Sequence, residues 1–168
     1  QCAGSRDVNH LPYCSYICCL ATLKHSLYLA ENDPETESLI FYIDIRTPGR
    51  YEKFFNRVQQ EARIKLIKGK VAKIEEDPST KDLIVTAEDT LSGKKVSEKV
   101  NMVVLALGMQ PSTAGVNIPG LPVDENGFVI SNEGIIACGC AKMPLDVMSS
   151  NETATGAALK ALQIIKSS

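Results

Sequence analysis

No stretch of this chain approaches the roughly 20 apolar residues of a membrane span. The longest apolar runs, around Leu39–Ile43 and Met102–Leu107, are of strand length. Charge of one sign is not in excess: a formal net charge of −2 gives no electrostatic reason to expect nucleic acid or an anionic membrane as partner. Histidine is scarce. His10 and His25 stand alone, one read as a loop residue and the other as a helix-surface residue, and no nucleophile–base pair accompanies them, so no catalytic residue is assigned. No signal peptide is visible. No methionine opens the chain and a cysteine-rich stretch begins at once, so the 168 residues are expected to be a piece cut from a longer protein. Repeats and low-complexity tracts are missing as well. With 44% apolar and 23% charged residues, the chain has the composition of one ordinary globular domain or a compact pair.

Cysteine, by contrast, is concentrated. "QCAGSRDVNHLPYCSYICCL" holds Cys2, Cys14, Cys18 and Cys19, while Cys138 and Cys140 follow far downstream. Such clustering favours metal or redox chemistry over a disulfide scaffold, whose cysteines are usually spread through a shorter chain. The spacing predicts a helix from about Pro12 to Glu31 with Tyr16, Leu20, Leu23, Leu27 and Ala30 on one face. Cys14 and Cys18 would then share a face near the helix start, where peptide N–H groups favour thiolate. Four thiolates suit a [4Fe–4S] cluster or a tetrahedral zinc ion. C-x11-C-x3-C-C is neither the usual ferredoxin spacing nor the paired C-x2-C of structural zinc, and the adjacent pair suits a cuboidal cluster better than one small ion. Dithiol chemistry and plain core packing of the cysteines remain open alternatives.

The rest reads as α/β. "LIFYIDI" (39–45) is a continuous apolar, β-branched run expected to be a strand covered on both faces. Tyr51, Phe54, Phe55, Val58 and Ala62 form the stripe of a second helix. "IKLIKGKVAKIEED", "LIVTAED" and "VSEKV" read as strands of a small antiparallel segment. "NMVVLALG" (101–108) is expected to be another doubly buried strand, "FVIS" a short one and "GIIACG" the last. In the closing helix, Ser149 with Glu152 fits a capping box. An open parallel sheet of this kind collects ligands at the carboxyl ends of its strands, near Asp44 and Arg46, Gly108 to Ser112, and Gly139 to Asp146. Asp44 and Arg46 also fit an ordinary strand-end ion pair. The expected division is 1–112, a nucleotide-domain-like unit carrying the cysteines, and 113–168, the carboxyl-terminal part of an FAD-binding domain. Near Cys2 the glycine-rich turn of a dinucleotide site is reduced to Gly4, as if a cluster had replaced the nucleotide.

Ala106-Leu-Gly108-Met-Gln-Pro111 resembles the A-x-G-x-x-P strand end of flavoprotein disulfide reductases, and Gly139-Cys140 stands where their flavin-contacting G-D would be. Together, "CAGSRD…YCSYICC", "FYIDIRTPGRYEKFF" and "GCAKMPLDV…ATGAALKA" resemble the A subunit of heterodisulfide reductase. They look even closer to its relative in the quinone-interacting membrane-bound oxidoreductase. The resemblance implies a thioredoxin-reductase-like fold and an oxidoreductase subunit. It implies FAD in the full-length parent and a [4Fe–4S] cluster on Cys2, Cys14, Cys18 and Cys19. Gly108, Pro111, Gly139, Cys140, Asp146, Val147 and Thr153 would line the FAD, Asp146 replacing the missing acid. It further implies partner subunits of an electron-transfer complex and a cytoplasmic location at the periphery of a membrane-bound assembly. The amino-terminal G-x-G-x-x-G of such flavoproteins is absent from these residues, so the piece alone is expected to purify without flavin and to lose its cluster in air.

Overall fold

The computed structural model describes residues 2–167, which divide into two compact units: residues 2–3 with 18–107, and residues 4–17 with 108–167.

The first unit is layered. Helix α1 (Cys18–Asn32) leads to strand β1 (Ser38–Tyr42), a 3-10 turn at Gly49–Tyr51, helix α2 (Glu52–Gln60) and strand β2 (Ile64–Lys68). β1 and β2 pair in parallel, Ser38 opposite Ile64 through Tyr42 opposite Lys68, and α2 supplies the crossover a parallel pair requires. Strands β3 (Val71–Glu76), β4 (Leu83–Asp89) and β5 (Lys94–Val100) form an antiparallel sheet in that order. Leu23 and Leu27 of α1 and Val58 of α2 pack on Ile40 and Ile64, while Phe41 and Ile67, pointing the other way, pack with Val85 and Ala87 of the antiparallel sheet. β1 is therefore covered on both faces, as its unbroken apolar run predicts. Arg63, just before β2, donates to the carbonyls of Ala30 (2.6 Å) and Asp33 (3.0 Å), satisfying acceptors that the end of α1 leaves over. Pro34 could not have continued that helix.

Three sequence expectations fail here. The residues of "IKLIK" form β2, which pairs in parallel with β1 instead of joining the antiparallel segment. Helix α1 begins at Cys18, so Cys14 and Tyr16 lie outside it. Tyr16 adopts the left-handed backbone (φ 55°), which a helix cannot incorporate. Residues 101–110 form neither helix nor strand, and Met102, Val104, Leu105 and Leu107 are exposed. Val103 alone of that run packs against the second core.

In the second unit, residues 4–17 form a loop closed by backbone bonds from Arg6 N–H to Tyr13 O (3.0 Å) and from Leu11 N–H to Gly4 O (3.0 Å). The expected strands at "FVIS" and "GIIACG" reduce to isolated bridges, Val123 with Val129 and Asn132 with Ile135. A one-turn helix α3 (Gly139–Lys142) precedes helix α4 (Val147–Ser167). The capping box is not used: Asp146 caps α4, its Oδ1 accepting the Ser149 N–H at 2.7 Å. None of α4's described side chains is buried, and Leu159, Leu162 and Ile165 are exposed.

Candidate functional site

The cysteine segment is the least ordinary stretch of backbone. Among non-glycine residues, positive φ occurs at Cys2 (56°), Arg6 (59°), Tyr16 (55°) and, elsewhere, at Lys81 (65°). Side chains avoid this conformation, so three instances within fifteen residues mark a segment held in place by its surroundings. At Tyr16 the consequence is direct: its N–H reaches the Cys14 sulfur at 3.4 Å. Cys2, Cys18 and Cys19 belong to the first unit and Cys14 to the second. Cys19 is buried, and its thiol donates to the carbonyl of Asp44 at 3.8 Å. The Asp44 carboxylate meets Arg46 at 3.4 Å, the strand-end ion pair that the sequence also allowed.

Among the described residues no group of three or more His, Cys, Asp or Glu side chains is arranged to hold a metal ion. The chemistry of the donor set points the other way. Four of the six cysteines stand in the leading segment, and the Cys14 sulfur receives a peptide N–H, the kind of bond that tunes a cluster thiolate. Four thiols are the donor type a cluster takes, while the Cys14 sulfur is bonded to the Tyr16 N–H and the Cys19 sulfur to the Asp44 carbonyl.

The residues expected to line FAD lie in the second unit and fall into two sets. Gly139, Cys140, Asp146, Val147 and Thr153 gather at the start of α4. Gly139 N–H donates to Thr153 Oγ1 (3.0 Å), Thr153 Oγ1 donates to Ser150 O (3.0 Å), and Cys140 Sγ donates to Leu145 O (3.5 Å). The start of a long helix offers N–H groups and a partial positive charge, the environment a pyrophosphate seeks. Gly108 and Pro111 form the other set. Gly108 (φ 126°) faces protein: a Cβ there would lie 2.2 Å from Ser5 Oγ and 2.7 Å from Ser15 Oγ.

Sequence reasoning missed these two serines. Both are buried, their hydroxyls are 2.7 Å apart, and Ser15 Oγ accepts the Met109 N–H at 2.8 Å. Tyr13 was missed as well. Its hydroxyl donates to Met109 O at 3.0 Å, its ring meets Phe128 edge-on at 5.2 Å, and burial, with the Asp124 carboxylate second, pushes its phenol above the ordinary range. A hollow of about 570 Å³ in this unit is lined by His10, Tyr13, Thr113, Asn117 and Asp124 and contains none of the expected site residues.

No family model matches the chain. The crystal structure of Lactococcus lactis thioredoxin reductase matches at TM-score 0.60 and 18% identity, over 86% of this chain and 50% of that one. The fold is thus that of this thioredoxin reductase, a mixed α/β architecture with a parallel and an antiparallel sheet. Among curated proteins, the second of the CoB–CoM heterodisulfide reductase iron–sulfur A subunits of Methanopyrus kandleri is 37% identical over 96% of this chain and 27% of its own length. The corresponding A subunit of Methanocaldococcus jannaschii is 38% identical over 94% and 26%. The A subunit of the ferredoxin:CoB–CoM heterodisulfide reductase of Methanosarcina acetivorans is 37% identical over 100% and 23%. This chain is homologous, along nearly all its length, to the A subunits of heterodisulfide reductases. It spans about a quarter of the length of the curated relatives it matches. No helix among the described residues is long and apolar enough to cross a membrane.

Proposed function

We propose that this chain is the electron-relay segment of an FAD- and iron–sulfur-containing oxidoreductase subunit of the heterodisulfide reductase A type. In this reading Cys2, Cys14, Cys18 and Cys19 hold a [4Fe–4S] cluster, and Gly139, Cys140, Asp146, Val147 and Thr153, with Gly108 and Pro111, lie along the FAD. The divisions 1–112 and 113–168 correspond to a cluster-bearing unit and part of the flavin domain. The cluster supplies one-electron transfer and the flavin exchange between electron pairs and single electrons. The chain's own residues provide the setting. The Tyr16 N–H stabilises negative charge on the Cys14 sulfur, and burial of Cys19 keeps water from its sulfur. The first turn of α4 offers N–H groups to an anionic ligand. Partner subunits of a complex, in the cytoplasm and at the periphery of a membrane-bound assembly, complete the electron path.

One observation carries the reading: the left-handed backbone at Cys2, Arg6 and Tyr16 confines the unusual conformations of the leading segment to the cysteine loop. The test is anaerobic purification of the intact protein with iron, sulfide and zinc analysis. Visible absorption that bleaches with dithionite, and iron lost when any of the four cysteines becomes serine, is the expected result. A colourless protein with stoichiometric zinc, or one whose thiol count falls by two on mild oxidation without iron, overturns it.

A further inference from the structure

Cys14 is gripped on both sides by a single residue. Its predecessor Tyr13 donates its hydroxyl to the Met109 carbonyl at 3.0 Å. Its successor Ser15 accepts the Met109 N–H at 2.8 Å. Both polar groups of one residue thus clamp the two neighbours of one cysteine across more than ninety positions of sequence. The clamp is braced from behind. Ser15 is fully buried at 0% exposure and Ser5 nearly so at 2%, and their hydroxyls meet at 2.7 Å. Gly108 lets the chain come this close, because any side chain there would occupy the space of both hydroxyls. The Tyr13 ring is held in turn by Phe128, itself buried. With both neighbours fixed, Tyr16 turns into the left-handed region and its N–H meets the Cys14 sulfur.

We infer that Tyr13, Ser15 and Ser5 are positioning residues that fix the Cys14 sulfur through the Met109 backbone. The inference rests on the reading of Cys14 as a cluster ligand, although the clamp itself can be measured without one. Buried hydroxyls bonded in a chain resist rotation, since any other rotamer leaves a buried donor or acceptor unpaired. The sulfur is thereby held ready in one orientation, so that a ligand need not order the loop when it binds.

The experiment uses the intact protein, stripped of metal and kept reduced, with Cys14 alkylation by iodoacetamide followed by peptide mass spectrometry and Cys140 as internal reference. Tyr13→Phe keeps the ring against Phe128 and removes one grip; Ser15→Ala removes the other. Each is expected to change the Cys14-to-Cys140 labelling ratio by about 3- to 10-fold, the scale of one buried hydrogen bond. Thr113→Val loses a hydroxyl bond of the same unit to the Gly127 carbonyl, away from the clamp, and is expected to leave the ratio unchanged. A ratio unmoved in both clamp variants, or moved equally by Thr113→Val, overturns the inference. Iron content of anaerobically purified Cys14→Ser separates the two readings. Full iron in that variant removes Cys14 from the cluster while the labelling still decides the clamp. Lost iron with unmoved labelling removes the clamp and leaves the ligand.

Discussion

Ile40 and Phe41 are adjacent on β1 yet belong to different cores: Ile40 packs with Leu23, Leu27, Val58 and Ile64, and Phe41 with Val85 and Ala87. Successive strand side chains point to opposite faces, so this one peptide joins the helical layer to the antiparallel sheet. Ile40→Ala is expected to cost about 2–5 kcal/mol and Phe41→Ala about 3–5 kcal/mol, a transfer loss plus a cavity. Urea unfolding checks both. The midpoint should fall with the slope unchanged, since neither substitution alters the surface exposed on unfolding.

Gly69, between β2 and β3, is a glycine by necessity. A Cβ there would sit 2.1 Å from the carbonyl oxygen of Glu88, with the Glu88 carbonyl carbon at 3.0 Å, and backbone cannot swing aside as a side chain could. The same corner is tied by Thr90, whose N–H and hydroxyl both donate to Lys68 O, at 2.8 and 2.9 Å. Gly69→Ala is expected to destabilise the first unit by about 1–3 kcal/mol through overpacking. A lowered melting temperature with unchanged far-ultraviolet circular dichroism is the readout.

Asp146 and Glu152 should behave oppositely. Asp146 caps α4, so Asp146→Ala is expected to cost about 0.5–2 kcal/mol and to fray the helix start, whereas Asp146→Asn keeps an acceptor and most of that stability. Glu152 belongs to a capping box the helix does not form, so Glu152→Ala should be close to neutral. Paired thermal melts decide it; a larger loss from the Glu152 variant would contradict the assigned cap.

Acid should weaken the antiparallel sheet. The N–H groups of Ser79 and Thr80 hold the Asp77 carboxyl below its ordinary range, and the Thr80 hydroxyl, followed by Lys99 and Asn101, does the same for Asp82. Lys99 lies 3.4 Å from Asp77 and 3.2 Å from Asp82. A folded pKa below the unfolded one means stability that is complete above the unfolded value of about 3.9 and is lost as pH falls through the lowered folded values. Lys99 is raised, with Asp82 the first cause, so its contribution is intact below about 10.4 and lost only in strong alkali. Urea midpoints across the acid range should fall less steeply for Asp77→Asn than for the parent, and added salt should shrink the difference because these side chains remain partly exposed.

The sequence by itself determined the α/β class, the doubly covered strand β1, the stripe of α2 and the antiparallel hairpins, because each follows from local periodicity and turn chemistry. The cysteine grouping, too, was plain in one dimension. It did not determine that α1 starts at Cys18, since Tyr16 fits the apolar spacing of the helix and only its left-handed backbone removes it. It also misjudged residues 101–108. An apolar run announces a surface to be covered, but a strand needs a hydrogen-bonded neighbour, which no local pattern supplies. Tertiary structure alone placed Tyr13 and Ser15 on the Met109 backbone, with Ser5 behind Ser15, because serine carries no periodic signal and Met109 lies more than ninety residues away. Periodicity records which side of an element meets apolar surroundings; which distant hydroxyl meets which peptide group is settled only when the chain closes on itself.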